Sequence, residues 1–422
     1  MSDVVNANRS LLVVGGGMSG LSAALEAAEA GYQVYIVEKE PYLGGRVARM
    51  NKYFPKLCPP SCGLEINFRR IKNNPLVRFF TMAEVTRIQG TPGDLDVTIK
   101  IRPRYVNEKC TGCGLCAEAA ETEIPNPFDY GLSTVKAAYL PHEFAFPMRY
   151  VIAPEVIGTD EAQRIQAACP YGAVELDMAE KAFDLKVGAV VWATGWKPYD
   201  AEKISYYGFG KHKNVVTNVI FERLASINGP TAGVIQRPSD GRPVKNAAFI
   251  QCAGSRDENH LPYCSGVCCL ASLKQATYLL DQDPDARATI FYIDIRALGK
   301  YEDFFAKVQA DERVRLVKAK AGEITEDPQT GQVTVQAEDQ TTGAILKEAF
   351  DLVVLATGMV PSTAEDKVPA DVAYDDNGFL MNGSAAGAVI PAGCVRRPVD
   401  VATSVQDATA AALKAIQATV RR

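Results

Sequence analysis

The sequence predicts an α/β protein built on parallel sheets buried on both faces, and three observations predict it. The chain opens with an apolar strand, a glycine-rich turn and a small-residue helix in "SLLVVGGGMSGLSAALEAAEAGYQVYIVEKE". Two later segments, "GAVVWATGWKP" at 188–198 and "DLVVLATGMVP" at 351–361, are apolar runs that each end in Ala-Thr-Gly. A further run, "NAAFIQCAGSRDENH" from Asn246, has the same strand character. Continuous apolar runs of this length, without polar alternation, suit strands covered on both sides.

In the first segment, residues 11–14 form a strand, Gly15-x-Gly17-x-x-Gly20 the turn, and a helix follows to about residue 30. A second strand over 33–37 ends on Glu38. The glycines let the backbone approach a pyrophosphate, whose charge then sits at a helix N-terminus. Glu38 stands where an acid accepts from the ribose hydroxyls of an adenosine. The competing explanation is a glycine-rich helix start of structural use only.

"PYLGGR" follows directly and carries Gly44, Gly45 and Arg46. With both Ala-Thr-Gly strands, it resembles the flavoproteins with two dinucleotide-binding domains, Rossmann-like and similar to thioredoxin and glutathione reductase. That resemblance implies FAD, with Gly195 and Gly358 at the ends of strands returning to the flavin domain and Gly393 in a turn facing it. It also implies a second Rossmann-like domain for NAD(P)H. The strand from Asn246 lacks G-x-G-x-x-G, so this domain is expected to keep its fold without binding NAD(P)H in the usual way. The expected boundaries are 1–102 for the first part of the FAD domain, 103–185 for an insertion and 186–243 for the second FAD part. A degenerate second domain over 244–350 and a C-terminal FAD part over 351–422 complete the plan.

Composition narrows the function. The chain has 422 residues, 47% hydrophobic and 23% charged, with a net charge of −5, which gives no basis for nucleic-acid binding. "MSDVVNANRS" has no basic signal-peptide region, and no apolar run approaches the roughly 20 residues of a membrane span. A cytoplasmic location is expected. Eleven clustered cysteines then read as metal ligands rather than disulfides. The three histidines, His142, His212 and His260, are mutually distant in sequence, which disfavours a histidine-rich metal site.

The insertion begins "RYVNEKCTGCGLC" and ends "AACPYGAVELD". It resembles a bacterial two-cluster ferredoxin, in which the cysteine after each C-x2-C-x2-C serves the other motif's cluster. Under that resemblance Cys110, Cys113, Cys116 and Cys169 are one complete [4Fe–4S] ligand set. The four absent cysteines, one of them expected near Ala120, are the other complete set. A zinc site and a dead remnant are the alternatives.

A second group, Cys252, Cys264, Cys268 and Cys269, lies in "QCAGSRDENHLPYCSGVCCLASLKQA". Spacing alone leaves a cubane site and a helix start with packed thiols equally open. The combination of glycine fingerprint, insertion, C-x11-C-S-x2-C-C and "YIDIRALGKYEDFF" resembles the A subunit of heterodisulfide reductase. That resemblance implies a second [4Fe–4S] cluster on these four cysteines, and a role for Lys274 beside the flavin ring as a cation favouring its reduced, anionic form. The plainer reading of Lys274 is a solvated helix lysine. A single insertion cluster, with a chain starting at the flavin strand, is more similar to the A subunit of the quinone-interacting membrane-bound oxidoreductase of sulfate reducers. This family implies a second flavoprotein/iron–sulfur subunit, a haem- and cluster-bearing membrane subunit, and adenylylsulfate reductase as partners. It also implies peripheral attachment to the cytoplasmic face of the membrane through those subunits.

The expected function is an electron-transfer subunit holding FAD and two [4Fe–4S] clusters, with no small-molecule substrate of its own. The alternatives are a bifurcating heterodisulfide reductase-type subunit, a stand-alone NAD(P)H or disulfide reductase, and a scaffold. Cys58 and Cys62, in "FPKLCPPSCGLEI", remain open between a redox pair, cluster ligands and packed thiols, and Cys394 is expected to be passive.

Overall fold

The computed structural model describes residues 9–382 and 387–420. The N-terminal stretch read for a targeting signal lies almost wholly outside them. The chain forms two compact units. One comprises residues up to 196 with 361–397 and 401 onward, the other 197–360 with 398–400.

The first unit is organised on a five-stranded parallel sheet in the order Val389–Pro391, Ala189–Trp192, Ser10–Val14, Gln33–Glu38, Val77–Thr81. Along the central strand, alternate side chains serve opposite cores. Leu11 and Val13 pack with Leu21, Ala24 and Ala411 of the helices Met18–Glu29 and Val401–Val420. Leu12 and Val14 pack with Val97, Ile99 and Trp192 under a three-stranded antiparallel sheet of Ala83–Thr91, Asp94–Ile101 and Lys181–Val187. Each buried aliphatic side chain contributes about 1.5–3 kcal/mol relative to exposure. Helix Met18–Glu29 buries Ala23, Ala24, Ala27 and Ala28, and the small side chains let it lie close to the sheet and to the last helix.

The insertion leaves this sheet after Ile101 and rejoins it at Lys181. Strand Lys181–Val187 pairs in full with Asp94–Ile101, so the expected boundary at 185 falls inside a strand. Within the insertion, short helices Leu115–Glu118 and Asp160–Ala167 and two antiparallel ribbons enclose a core of Val106, Cys116, Ile152, Val156, Ile165 and Val174. Thr159 caps the longer helix, its hydroxyl accepting from Ala162 N at 3.3 Å.

The second unit repeats the plan with a parallel sheet in the order Val215–Thr217, Leu352–Thr357, Asn246–Ala253, Arg287–Tyr292, Val314–Lys318. A three-stranded antiparallel sheet of Ala321–Glu326, Val333–Glu338 and Ile345–Phe350 adjoins it. The expected α/β fold with two Rossmann-like domains is therefore present. One assignment differs. The strand of "DLVVLATG" pairs with Asn246–Ala253 inside the second unit and does not return to the first sheet. The second unit also begins at Lys197, within the segment expected to be flavin domain over 186–243. The two Ala-Thr-Gly strands look alike because both are buried, and only long-range pairing assigns each to a sheet. The actual return strand is Val389–Pro391, too short to show a periodicity.

Candidate functional site

At the C-terminal end of the first sheet, two glycine stretches lie backbone against backbone. Gly44 N donates to Gly16 O at 2.8 Å, and a Cβ on Gly45, which has φ +57°, would meet Gly17 Cα at 2.8 Å. Gly20 serves close packing, since a Cβ there would lie 1.7 Å from Gly15 O. Gly15 itself sits against Ala193 of the neighbouring strand. Gly17 has only Gly45 within 4 Å of an added Cβ, which leaves the open side of the turn at the start of helix Met18–Glu29.

Glu38 ends the second strand, 7% exposed, and its carboxylate accepts from Gly16 N at 2.6 Å and Glu40 N at 2.8 Å. Burial pushes this carboxyl up to about 7, against the two backbone donors that favour ionisation. A carboxylate has about four lone-pair sites, so these bonds leave capacity for hydroxyl donors. Gly16, the middle glycine of "GGG", is a variable position of the motif and carries no sequence signal; its N–H fixes the acid's orientation. A cavity of about 500 Å³ adjoins the strand end, lined among others by Lys39, Glu40, Tyr42, Arg102, Phe128 and Tyr139.

Arg46 donates from Nε to Trp196 O at 2.7 Å, and its guanidinium lies 4.7 Å from the Trp196 ring centre. Gly195 O accepts from Ser362 N at 3.1 Å, beside a Thr194–Ser362 hydroxyl contact of 2.6 Å. Gly393, φ +69°, donates to Asp407 of the last helix at 2.8 Å and approaches Ser19. Gly358 belongs to the second unit, and its surroundings are not a dinucleotide turn. A Cβ there would lie 2.2 Å from Ser255 Oγ and 2.9 Å from Ser265 Oγ, so its bare backbone lets the second cysteine loop close over the strand end.

Cys110, Cys113, Cys116 and Cys169 line one pocket of the insertion, with Tyr150 and Tyr171. Cys113 is exposed and Cys116 buried. Burial, then the neighbouring Cys110, pushes the Cys116 thiol up to about 11. At Cys169, burial opposes ionisation, but the amides of residues 171–174 outweigh it and bring the thiol below its ordinary range. Ala173 N reaches its sulfur at 3.3 Å.

The second group converges as well. The ladder slips between Ile250 and Ala253, and Cys252, with φ +56°, turns out of the strand. Cys264, Cys268 and Cys269 are near enough to act on its neighbours' ionisation, and burial followed by that mutual repulsion raises Cys252 to about 11 and Cys268 further. Gly266 N donates to Cys264 Sγ at 3.3 Å, while Cys269 Sγ donates to Asp294 O at 3.6 Å. Among the described residues, no group of three or more His, Cys, Asp or Glu side chains is placed to hold a single metal ion. A zinc ion draws its sulfurs to about 2.3 Å, whereas a cubane spreads its four thiolates around a larger body. Both cysteine sets fit the cubane in donor type and number.

The FAD dependent oxidoreductase family matches residues 10–54. One of the iron–sulfur A subunits of CoB–CoM heterodisulfide reductase from Methanopyrus kandleri is 38% identical over 420 residues, covering 96% of this chain and 64% of that one. The A subunit of the H2:CoB–CoM heterodisulfide,ferredoxin reductase of Methanothermobacter marburgensis is 35% identical over 424 residues, covering 97% and 64%. The chain is similar to the A subunits of heterodisulfide reductase over nearly its whole length. It spans 64% of the length of these two proteins. The thioredoxin reductase of T. acidophilum superposes with a TM-score of 0.53 at 17% identity, over 98% of this chain and all of that one, which shows the fold.

Lys274 is 4% exposed on helix Cys268–Gln282, its Nζ 2.9 Å from Glu222 Oε1. The solvated-lysine reading is therefore wrong. Helical periodicity around Lys274 gives no sign of Glu222, which comes from a different helix. Cys62 is exposed near the start of helix Pro60–Asn73, and Cys58 is half-buried, its carbonyl accepting from Tyr53 N at 3.1 Å. Cys394 is buried with Sγ 3.8 Å from Ser404 Oγ. No helix among the described residues is long and apolar enough to cross a membrane.

Proposed function

We propose that this chain is an electron-transfer subunit that carries FAD on its first unit, one [4Fe–4S] cluster on Cys110, Cys113, Cys116 and Cys169, and a second on Cys252, Cys264, Cys268 and Cys269. The observation that supports it most is the gathering of Cys110, Cys113 and Cys116 with the sequence-distant Cys169 around one pocket. When bound, FAD supplies exchange between paired and single electrons, and the clusters supply single-electron carriage.

The chain's own residues have separable tasks in this reading. Gly17 and Gly45 leave room for a pyrophosphate at a helix N-terminus, Glu38 accepts from the ribose, and the cavity beside Lys39 and Arg102 takes the adenosine end. Lys274 remains assigned to the flavin's developing negative charge, with its ammonium paired to Glu222. The strand Asn246–Ala253 is not followed by G-x-G-x-x-G, which supports the absence of an NAD(P)H site of the usual kind.

The partners form part of the proposal. One reading joins the chain to a second flavoprotein subunit, to a haem-bearing subunit in the membrane and to adenylylsulfate reductase, at the cytoplasmic face in sulfate reduction; the single insertion cluster supports it. A heterodisulfide reductase-type assembly is the second reading, supported by relatives that bear that name. Anaerobic purification with iron, sulfide and flavin analysis tests the common core: about eight irons and one FAD per chain are expected. Co-purifying subunits, assayed for quinol-dependent reduction of adenylylsulfate reductase against reduction of a CoB–CoM heterodisulfide, separate the two readings. An iron-free chain that oxidises NADPH overturns both.

A further inference from the structure

The cavity of about 500 Å³ beside Glu38 has walls of two origins. Glu40 and Met82 line it from the segments that follow the second and third strands of the first sheet. Pro127, Phe128, Tyr139 and Pro141 line it from the insertion. The insertion is fastened to the same unit at that place. Leu43 N donates to Phe146 O at 2.8 Å, and the Phe146 ring stacks on Phe68 with centres 5.0 Å apart. The buried Arg104 donates to Thr81 Oγ1 at 3.0 Å and to Pro41 O. Of the two insertion rings, that of Phe128 is already engaged, with Tyr42 at 5.6 Å, His142 at 4.5 Å and the Arg49 guanidinium at 5.6 Å. Tyr139 is half-buried, and among the described residues its ring has no aromatic contact and its hydroxyl no hydrogen bond. Its backbone belongs to a short ribbon in which Ala138 pairs with Ile152 and Tyr139 with Val151. Ala138 is buried in the core that contains Cys116 and Ile165, and the next side chain along a strand points to the opposite face. One ribbon thus serves the first cysteine set on one face and the cavity on the other.

We propose that the insertion forms one wall of the adenosine pocket and that Tyr139 stacks on the adenine ring of FAD. The inference rests on the FAD reading given above. Adenine has two flat apolar faces and a polar edge, and a free aromatic ring is the side chain that covers such a face best. The cavity's size suits a small organic ligand, and its insertion side is built of proline and aromatic rings. Because Arg104 and Phe146 already hold the insertion in place, little ordering is left for the cofactor to impose. The insertion that carries the first cysteine set is then also a part of the cofactor's binding site.

The test is FAD binding to the anaerobically purified, flavin-depleted full chain, comparing wild type with Tyr139→Phe, Tyr139→Leu and Tyr139→Ala. ADP, which carries the adenine without the flavin, is the competing probe, and thermal melts of the flavin-free variants report packing separately. Tyr139→Ala and Tyr139→Leu are expected to weaken FAD and ADP alike by about tenfold or more, and Tyr139→Phe by less than about threefold. Leu and Phe both fill the site, but only Phe keeps a ring, so a purely structural role would not separate them. Should the Ala variant fail to fold, the Leu and Phe variants carry the comparison. Unchanged FAD affinity in the Leu and Ala variants, Leu binding as tightly as Phe, or FAD weakened while ADP is not, overturns the proposal and leaves the FAD reading standing. A wild-type chain that binds no FAD overturns that reading and the inference with it.

Discussion

Lys274 Nζ lies 2.9 Å from Glu222 Oε1, with both side chains screened from solvent, and Gln275 and Tyr278 donate to the same carboxylate at 2.8 and 3.2 Å. Removing one partner of such a pair leaves a buried charge uncompensated, at a cost of about 3–5 kcal/mol. Lys274→Met is expected to lower stability by that amount in denaturant titration. Lys274→Met combined with Glu222→Gln should recover most of the loss. A single variant as stable as wild type would show that the pair is not closed in solution.

The carboxyl of Glu38 is raised to about 7 from an ordinary 4.5, chiefly by burial. A raised acid favours the folded state while protonated, so its contribution is present below about 4.5 and is lost as pH rises through about 7. The apoprotein is expected to lose up to about 3 kcal/mol across that window. Glu38→Gln should flatten this part of the pH–stability curve, read by thermal melts of flavin-free protein.

Cys169 belongs with three cysteines more than fifty residues earlier. Cys169→Ala is expected to halve the iron content, to about four per chain, with flavin retained. Cys268→Ala should remove the other half. Equal iron in wild type and Cys169→Ala would separate Cys169 from the set.

Gly358 separates a flavin role from a cluster role. A Cβ would crowd Ser255 Oγ at 2.2 Å and Ser265 Oγ at 2.9 Å, on either side of the second cysteine loop. Gly358→Ala is expected to reduce iron by up to half while FAD content stays constant. Lost flavin with full iron would restore the assignment to the dinucleotide site.

Local sequence was most informative where one segment contains its own partner. The strand–glycine–helix–strand run from Ser10 to Glu38 specifies a parallel pair and a pyrophosphate turn, because strand, turn and acid lie within one βαβ unit. It was least informative where residues meet across the fold. Gly358 carries the same Ala-Thr-Gly signal as Gly195, yet hydrogen bonding along Leu352–Thr357 places it in the other sheet. Lys274 looks like any helix lysine until Glu222 is brought beneath it.

What the sequence determined by itself was therefore the α/β class and the glycine turn with Glu38: spacing and residue type are local properties. The tertiary structure alone decided which Ala-Thr-Gly strand serves which sheet. It also decided that Lys274 is a buried ion-pair partner of Glu222. Those facts depend on strand pairing and helix packing between distant segments, whose free energy comes from shared burial and so leaves no mark on either segment read separately.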